Sequence, residues 1–142
     1  FEEVRAVNKS VTFVFNPKTG EIASLALMKG FRFKIALMEE HFNENYMETD
    51  DYPKAIFKGK IEGFDANSLT TNFKDYPIKG NLELHGKSNA IAFIAKIRRT
   101  SNGIQIVSSF SLNASDFNIV IPSLVKSKVA NTVTIQSTTF LK

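Results

Sequence analysis

A chain of 142 residues, 43% apolar and 23% charged, is long enough to bury a sizeable core as one domain, and this composition excludes a disordered protein. The net charge of +4 comes from eighteen scattered basic residues, which excludes the concentrated basic face of a nucleic-acid binder. No Cys is present, so disulfides, thiolate catalysis and Cys-ligated metals are excluded, and no apolar run reaches the length of a membrane span.

Val11, Phe13 and Phe15 alternate on one face of a first strand, and Asn16-Pro17-Lys18-Thr19-Gly20 supplies turn residues. A second strand runs from Glu21 to about Lys29 with Ala23, Leu25 and Leu27 predicted inward, making a hairpin with the first. Phe31 and Phe33 continue the same face beyond Gly30. Lys34–Pro53 then changes period. Ile35, Met38, Phe42 and Tyr46 fall on one helical stripe, opposite Glu39, Glu40, Asn43 and Glu44, and Tyr52-Pro53 ends the segment. A short amphipathic helix among strands must cover something apolar, so it is expected to cap one end of a barrel.

Strand periodicity resumes with Ala55, Phe57 and Ile61 inward against Lys54, Lys58 and Lys60, while Gly59 leaves room for a bend or a close approach. Leu69, Thr71 and Phe73 alternate, and then Tyr76, Ile78, Leu82 and Leu84 point inward with His85 outward. Gly80 suggests a bulge or bend. His85-Gly86-Lys87-Ser88 turns the chain, and Ile91, Phe93, Ala95 and Ile97 pair as a hairpin with Ile104, Ile106, Ser108, Phe110 and Leu112. Pro122 opens a short helical turn over Ser123–Lys128, and Val133, Ile135 and Ser137 form the last strand.

These elements predict an all-β, antiparallel up-and-down barrel of about eight strands with one short inserted helix, a single domain over residues 1–142. Thirteen Phe make the interior aromatic, either packed solid or lining an apolar cavity. The expected lining is Phe13, Phe15, Leu25, Phe31, Phe33, Ile35, Met38, Phe42, Tyr46, Phe57, Phe73, Phe93 and Phe110.

No catalytic constellation is legible. His41 with Glu44 and Asn45 offers too few ligands for a metal, and Glu48, Asp50 and Asp51 lack the spacing of a calcium loop. No nucleophile elbow or phosphate loop occurs. The expectation is a binding protein with no cofactor, no metal and no catalytic residue.

Leu37–Ile61, containing Tyr52-Pro53-Lys54-Ala55-Ile56-Phe57, resembles the YceI-like family of bacterial polyisoprenoid-binding proteins. So do the glycine-broken strand and turn of Tyr76–Lys87 and the Asp116–Val125 stretch, DFNIVIPSLV. The wording HFNENYMETDDYP resembles the branch found in Bacteroidetes-type bacteria. The resemblance spans Val7 to Ile135 and implies a lipocalin-like barrel, a long isoprenoid or similar lipid as ligand, and export to the periplasm or cell envelope. It also implies a strand before Phe1–Asn8, trimmed from this chain or supplied by a partner chain, so a homodimer is admitted. The start at Phe1, without Met or signal peptide, suits a processed product. The expected function is binding or transport of an isoprenoid or fatty acyl chain; the alternative is a filled-core envelope interaction or stress-response module with no small ligand.

Overall fold

The computed structural model describes residues 5–120 and 132–141. Its strands are β1 (Ala6–Asn8), β2 (Val11–Phe15), β3 (Glu21–Leu27), β4 (Phe31–Phe33), β5 (Lys54–Ile61), β6 (Lys74–Leu84), β7 (Lys87–Thr100), β8 (Gly103–Asn113) and β9 (Thr132–Leu141). Seven of them form one antiparallel sheet in the order β2-β3-β5-β6-β7-β8-β9, which curls into a half-barrel. Strands β1 and β4 form a separate two-stranded ribbon, so Phe31 and Phe33 leave the barrel wall. The expected all-β antiparallel fold is what forms. The Pro122 turn predicted over 123–128 lies outside the described residues.

The first hairpin shows how a turn overrides alternation. Asn16 accepts the Gly20 amide at 2.8 Å and donates to the Glu21 carbonyl at 2.9 Å, with Gly20 at φ +80°. This closure pairs Phe15 with Ile22, Phe13 with Ser24 and Val11 with Ala26. Odd positions of β2 therefore share a face with even positions of β3. Ala23, Leu25 and Leu27 lie on the outer face, contrary to the expectation from their greater apolarity, and Ile22 is the buried residue. Leu25 is removed from the lining on this ground.

Gly59 and Gly80 face one another across β5 and β6 in an unbroken register, so Gly80 is not a bulge. The two glycines make room for the Phe57 ring. A Cβ on Gly80 would stand 2.8 Å from Phe57 Cζ and 2.3 Å from the Lys58 carbonyl oxygen, and one on Gly59 would stand 2.7 Å from the same ring carbon. Gly80→Ala is expected to lower stability by about 3 kcal/mol, because backbone as well as ring must move; urea denaturation measures it.

Each end of the half-barrel has its own closure. At one end α1 (Ala36–His41) runs into a single π-helical turn, Phe42–Tyr46. There Met28, Tyr46 and Met47 are buried together with Phe31, Phe42, Ala55, Leu84 and Ile119. At the other end a 3-10 turn (Ala66–Ser68), capped by Asp65, brings Leu69 and Phe64 onto Ile61, Ile97 and Ile106. Residues 70–73 form no strand; the Arg99 amide donates to the Thr70 carbonyl at 2.7 Å and its guanidinium to the Ala66 carbonyl at 2.8 Å.

Strands β7 and β8 pair only from Thr100–Gly103 to Ala95–Ser108. Beyond that point β7 stays with β6, β8 stays with β9, and the wall parts. A 3-10 turn, Ala114–Phe117, occupies the parting, with Phe117 only 2% exposed and the Asn89 amide donating to the Asp116 carbonyl at 2.6 Å.

Candidate functional site: the inner face of the half-barrel

The inner face is built by register. Phe57 opposes Leu82, Ile78 opposes Phe93, Ala95 opposes Ser108, and Phe110 opposes Ile135. Three rings from three strands form a row across it. Phe57 and Phe93 lie 5.8 Å apart and tilted, while Phe93 and Phe110 are stacked at 4.6 Å, bridging from inside the point where β7 and β8 part. All three rings are half-buried, as are Phe13 and Phe15 on β2. Rings locked in a filled core would be covered on every side, whereas these keep surface for a neighbour.

The helix stripe is only partly assembled. The π turn widens the helical period after His41, and Ile35 precedes α1 with 49% of its surface exposed. Met38 is half-buried. Phe42 packs against Phe31 at 5.5 Å and Phe33 at 5.0 Å, and Tyr46 is buried beside Met28 and Met47. Burial pushes the Tyr46 phenol above its ordinary 10.0. This cluster closes one end of the half-barrel and touches the wall at Ala55 and Leu84. Phe73 lies elsewhere. It is 42% exposed and stacks under the Arg98 guanidinium at 4.6 Å, so the lining does not include it.

His85 is not the exposed outward residue that alternation predicts. With Gly86 it forms a two-residue turn, both at positive φ (+54° and +75°), which suits the twist of a β-hairpin and takes His85 out of the strand period. Its side chain is 8% exposed. Nδ1 donates to the Phe117 carbonyl at 3.1 Å, Nε2 faces the Glu48 carboxylate at 2.7 Å, and the Tyr52 ring packs 4.5 Å away. Glu48 itself sits at φ +48°, a strained backbone that this contact holds. His85→Asn keeps a residue that tolerates the turn but loses both ring contacts, and is expected to cost about 2 kcal/mol; denaturant unfolding against wild type measures it.

Sequence reading missed Ile22 and Phe117. The turn closure carries the signal for Ile22: Asn16 closes on Glu21 around the four residues Pro17 to Gly20, and an even count sets odd positions of β2 opposite even positions of β3. Phe117 stands alone in a turn and has no periodicity to mark it.

A curled antiparallel sheet with an aromatic inner face and a helical cap is a lipocalin-like half-barrel. The YceI-like domain matches residues 2–140, and the chain belongs to that family. Among solved structures it is similar to the Campylobacter jejuni YceI protein (TM-score 0.76, 15% identity, covering 98% of this chain and 84% of that one). It is also similar to BcnA of Burkholderia cenocepacia (TM-score 0.73, 18% identity, 91% and 80% covered). A third likeness is to a polyisoprenoid-binding domain from Saccharophagus degradans implicated in plant cell wall breakdown (TM-score 0.73, 18% identity, 90% and 79% covered). No curated protein matches the sequence.

Proposed function

We propose that this protein binds an apolar lipid, a polyisoprenoid or fatty acyl chain, in the half-barrel interior and carries it without converting it. The observation that carries this reading is the row Phe57–Phe93–Phe110, with stacked and tilted rings on the concave face that remain half-buried. Membership of the YceI-like family and the fold shared with a polyisoprenoid-binding domain support it. A chain burying roughly 400 Å² of apolar surface gains about 10 kcal/mol before ordering costs, enough for firm retention. The site is in the cell envelope or periplasm on this reading, and the wording of residues 41–53 supports the Bacteroidetes-type branch. A homodimer is also part of the proposal. Val14 on β2 and Phe140 on β9 are exposed at the two sheet edges, 62% and 68%, where a second copy would cover them; light scattering of the purified protein measures the mass.

Native mass spectrometry of the purified protein, with its organic extract, tests the carrier reading. A prenyl or acyl species that co-purifies, or an added prenyl or acyl probe that binds and is recovered chemically unchanged, supports it. No co-purifying lipid and no binding of any probe overturns it.

A further inference from the structure

Tyr76, Ala95, Ser108 and Ser137 stand opposite one another on four consecutive strands, β6 to β9, and share the inner face. Strands lie about 4.8 Å apart, so the row is a single transverse level of the half-barrel. Ser108 is buried, and its hydroxyl lies 2.9 Å from that of Ser137. Tyr76 is 3% exposed, packed with Ile22, Ile61, Ile78, Ile97 and Ile106 and set edge-on to Phe64 at 5.6 Å. Its hydroxyl is fully buried and has no hydrogen-bond partner among the described residues.

Phe would fill the apolar space at position 76 without that polar atom, and a buried hydroxyl without a partner is destabilising. Ala95, the smallest side chain in the row, separates Tyr76 from Ser108 and is itself fully covered. The row therefore sets a phenol donor and a serine pair at one level of the inner face, on which Ser24 and Thr139 stand at other levels. The row itself contains no cation; the Lys74 ammonium lies 5.5 Å over the face of the Tyr76 ring on an exposed residue. Uncharged donors without a buried counter-ion suit a neutral oxygen and penalise a carboxylate.

We propose that Tyr76, with Ser108 and Ser137, is a polar subsite for a neutral oxygen of the bound lipid, a hydroxyl or a carbonyl. The cargo is then an oxygenated amphiphile rather than a pure hydrocarbon, with its oxygen at the level of Tyr76 and its chain running along the Phe57–Phe93–Phe110 row toward the helical cap. This rests on the carrier reading above.

Dodecane, dodecan-1-ol, 2-dodecanone and dodecanoate are titrated by displacement of a bound fluorescent apolar probe, in wild type, Tyr76→Phe and Ser108→Ala. Tyr76→Phe is expected to weaken dodecanol and dodecanone by about tenfold, the worth of one hydrogen bond, and to leave dodecane unchanged. Its thermal midpoint is expected to equal or exceed that of wild type, which a hydroxyl needed by the fold would not allow. Ser108→Ala gives the second reading, with the same selective loss, should Tyr76→Phe fold poorly. Equal affinities of both oxygenated probes in all three proteins overturn the subsite while dodecane binding upholds the carrier. Tighter binding of dodecanoate than of dodecanol overturns the neutral-oxygen class. Failure of every probe, dodecane included, overturns the carrier reading and the subsite together.

Discussion

Phe93→Ala is expected to weaken binding of a long prenyl or acyl chain by about tenfold or more while the protein stays folded. Phe93 is the middle ring of the inner row, in contact with both Phe57 and Phe110. A ring face that gives a bound chain roughly 60–80 Å² of contact contributes about 1.5–2 kcal/mol at 25 cal/mol per Å². The ring is half-buried, so its own contribution to folding is smaller than that of a covered one, about 1–2 kcal/mol against the 3–5 kcal/mol typical of buried aromatics. Urea unfolding and probe titration on the same variant separate the two effects. A loss of 3 kcal/mol or more in stability, with no ligand to displace, would instead favour the filled-core interaction module.

The opposite balance is expected at Phe117. This ring is 2% exposed and packs with Leu82 and Leu112 where β7 and β8 part, and its carbonyl accepts from His85. Phe117→Ala is expected to cost about 3–5 kcal/mol, leaving a cavity that the splayed strands cannot close. Together the two variants map function and stability onto different rings, one on the sheet and one on the 3-10 turn that packs against it. Equal stability losses at positions 93 and 117 would remove that distinction.

Most of the architecture was legible because strand periodicity is a local signal. Tyr76, Ile78, Leu82 and Leu84 alternate with Lys79, Asn81 and Glu83 in a chain that must bury one face, and the ladder places them as the alternation predicts. The same signal failed at Leu25, where the more apolar residues lie outside, because face is decided by register and register by the turn. It failed at Phe73, where a loop rather than a strand presents the ring, and at Gly80, where a missing side chain serves the ring of Phe57 rather than a bulge.

The acidic wording of residues 48–52 is the clearest case of meaning supplied by folding. Three stretches that stand apart in sequence meet at His85: Glu48 and Tyr52 from the segment after the π turn, His85-Gly86 from the β6–β7 turn, and Phe117 from the 3-10 turn. Tyr52 packs on Gly86, where a Cβ would lie 2.6 Å from its ring. None of these residues lines the inner face; together they tie the helical cap to the barrel end.

By itself the sequence determined the all-β class, most of the strand-forming segments, the aromatic character of one face and the family. Each follows from local alternation, turn residues and short ordered motifs. Only the tertiary structure decided which rings share a surface, that Phe117 is core while Phe57 stays half-buried on the inner face, and that the Tyr76 hydroxyl is buried without a hydrogen-bond partner among the described residues. Those outcomes depend on register between strands up to tens of residues apart and on which groups the curled sheet covers, and neither is written in the spacing of residues along one strand.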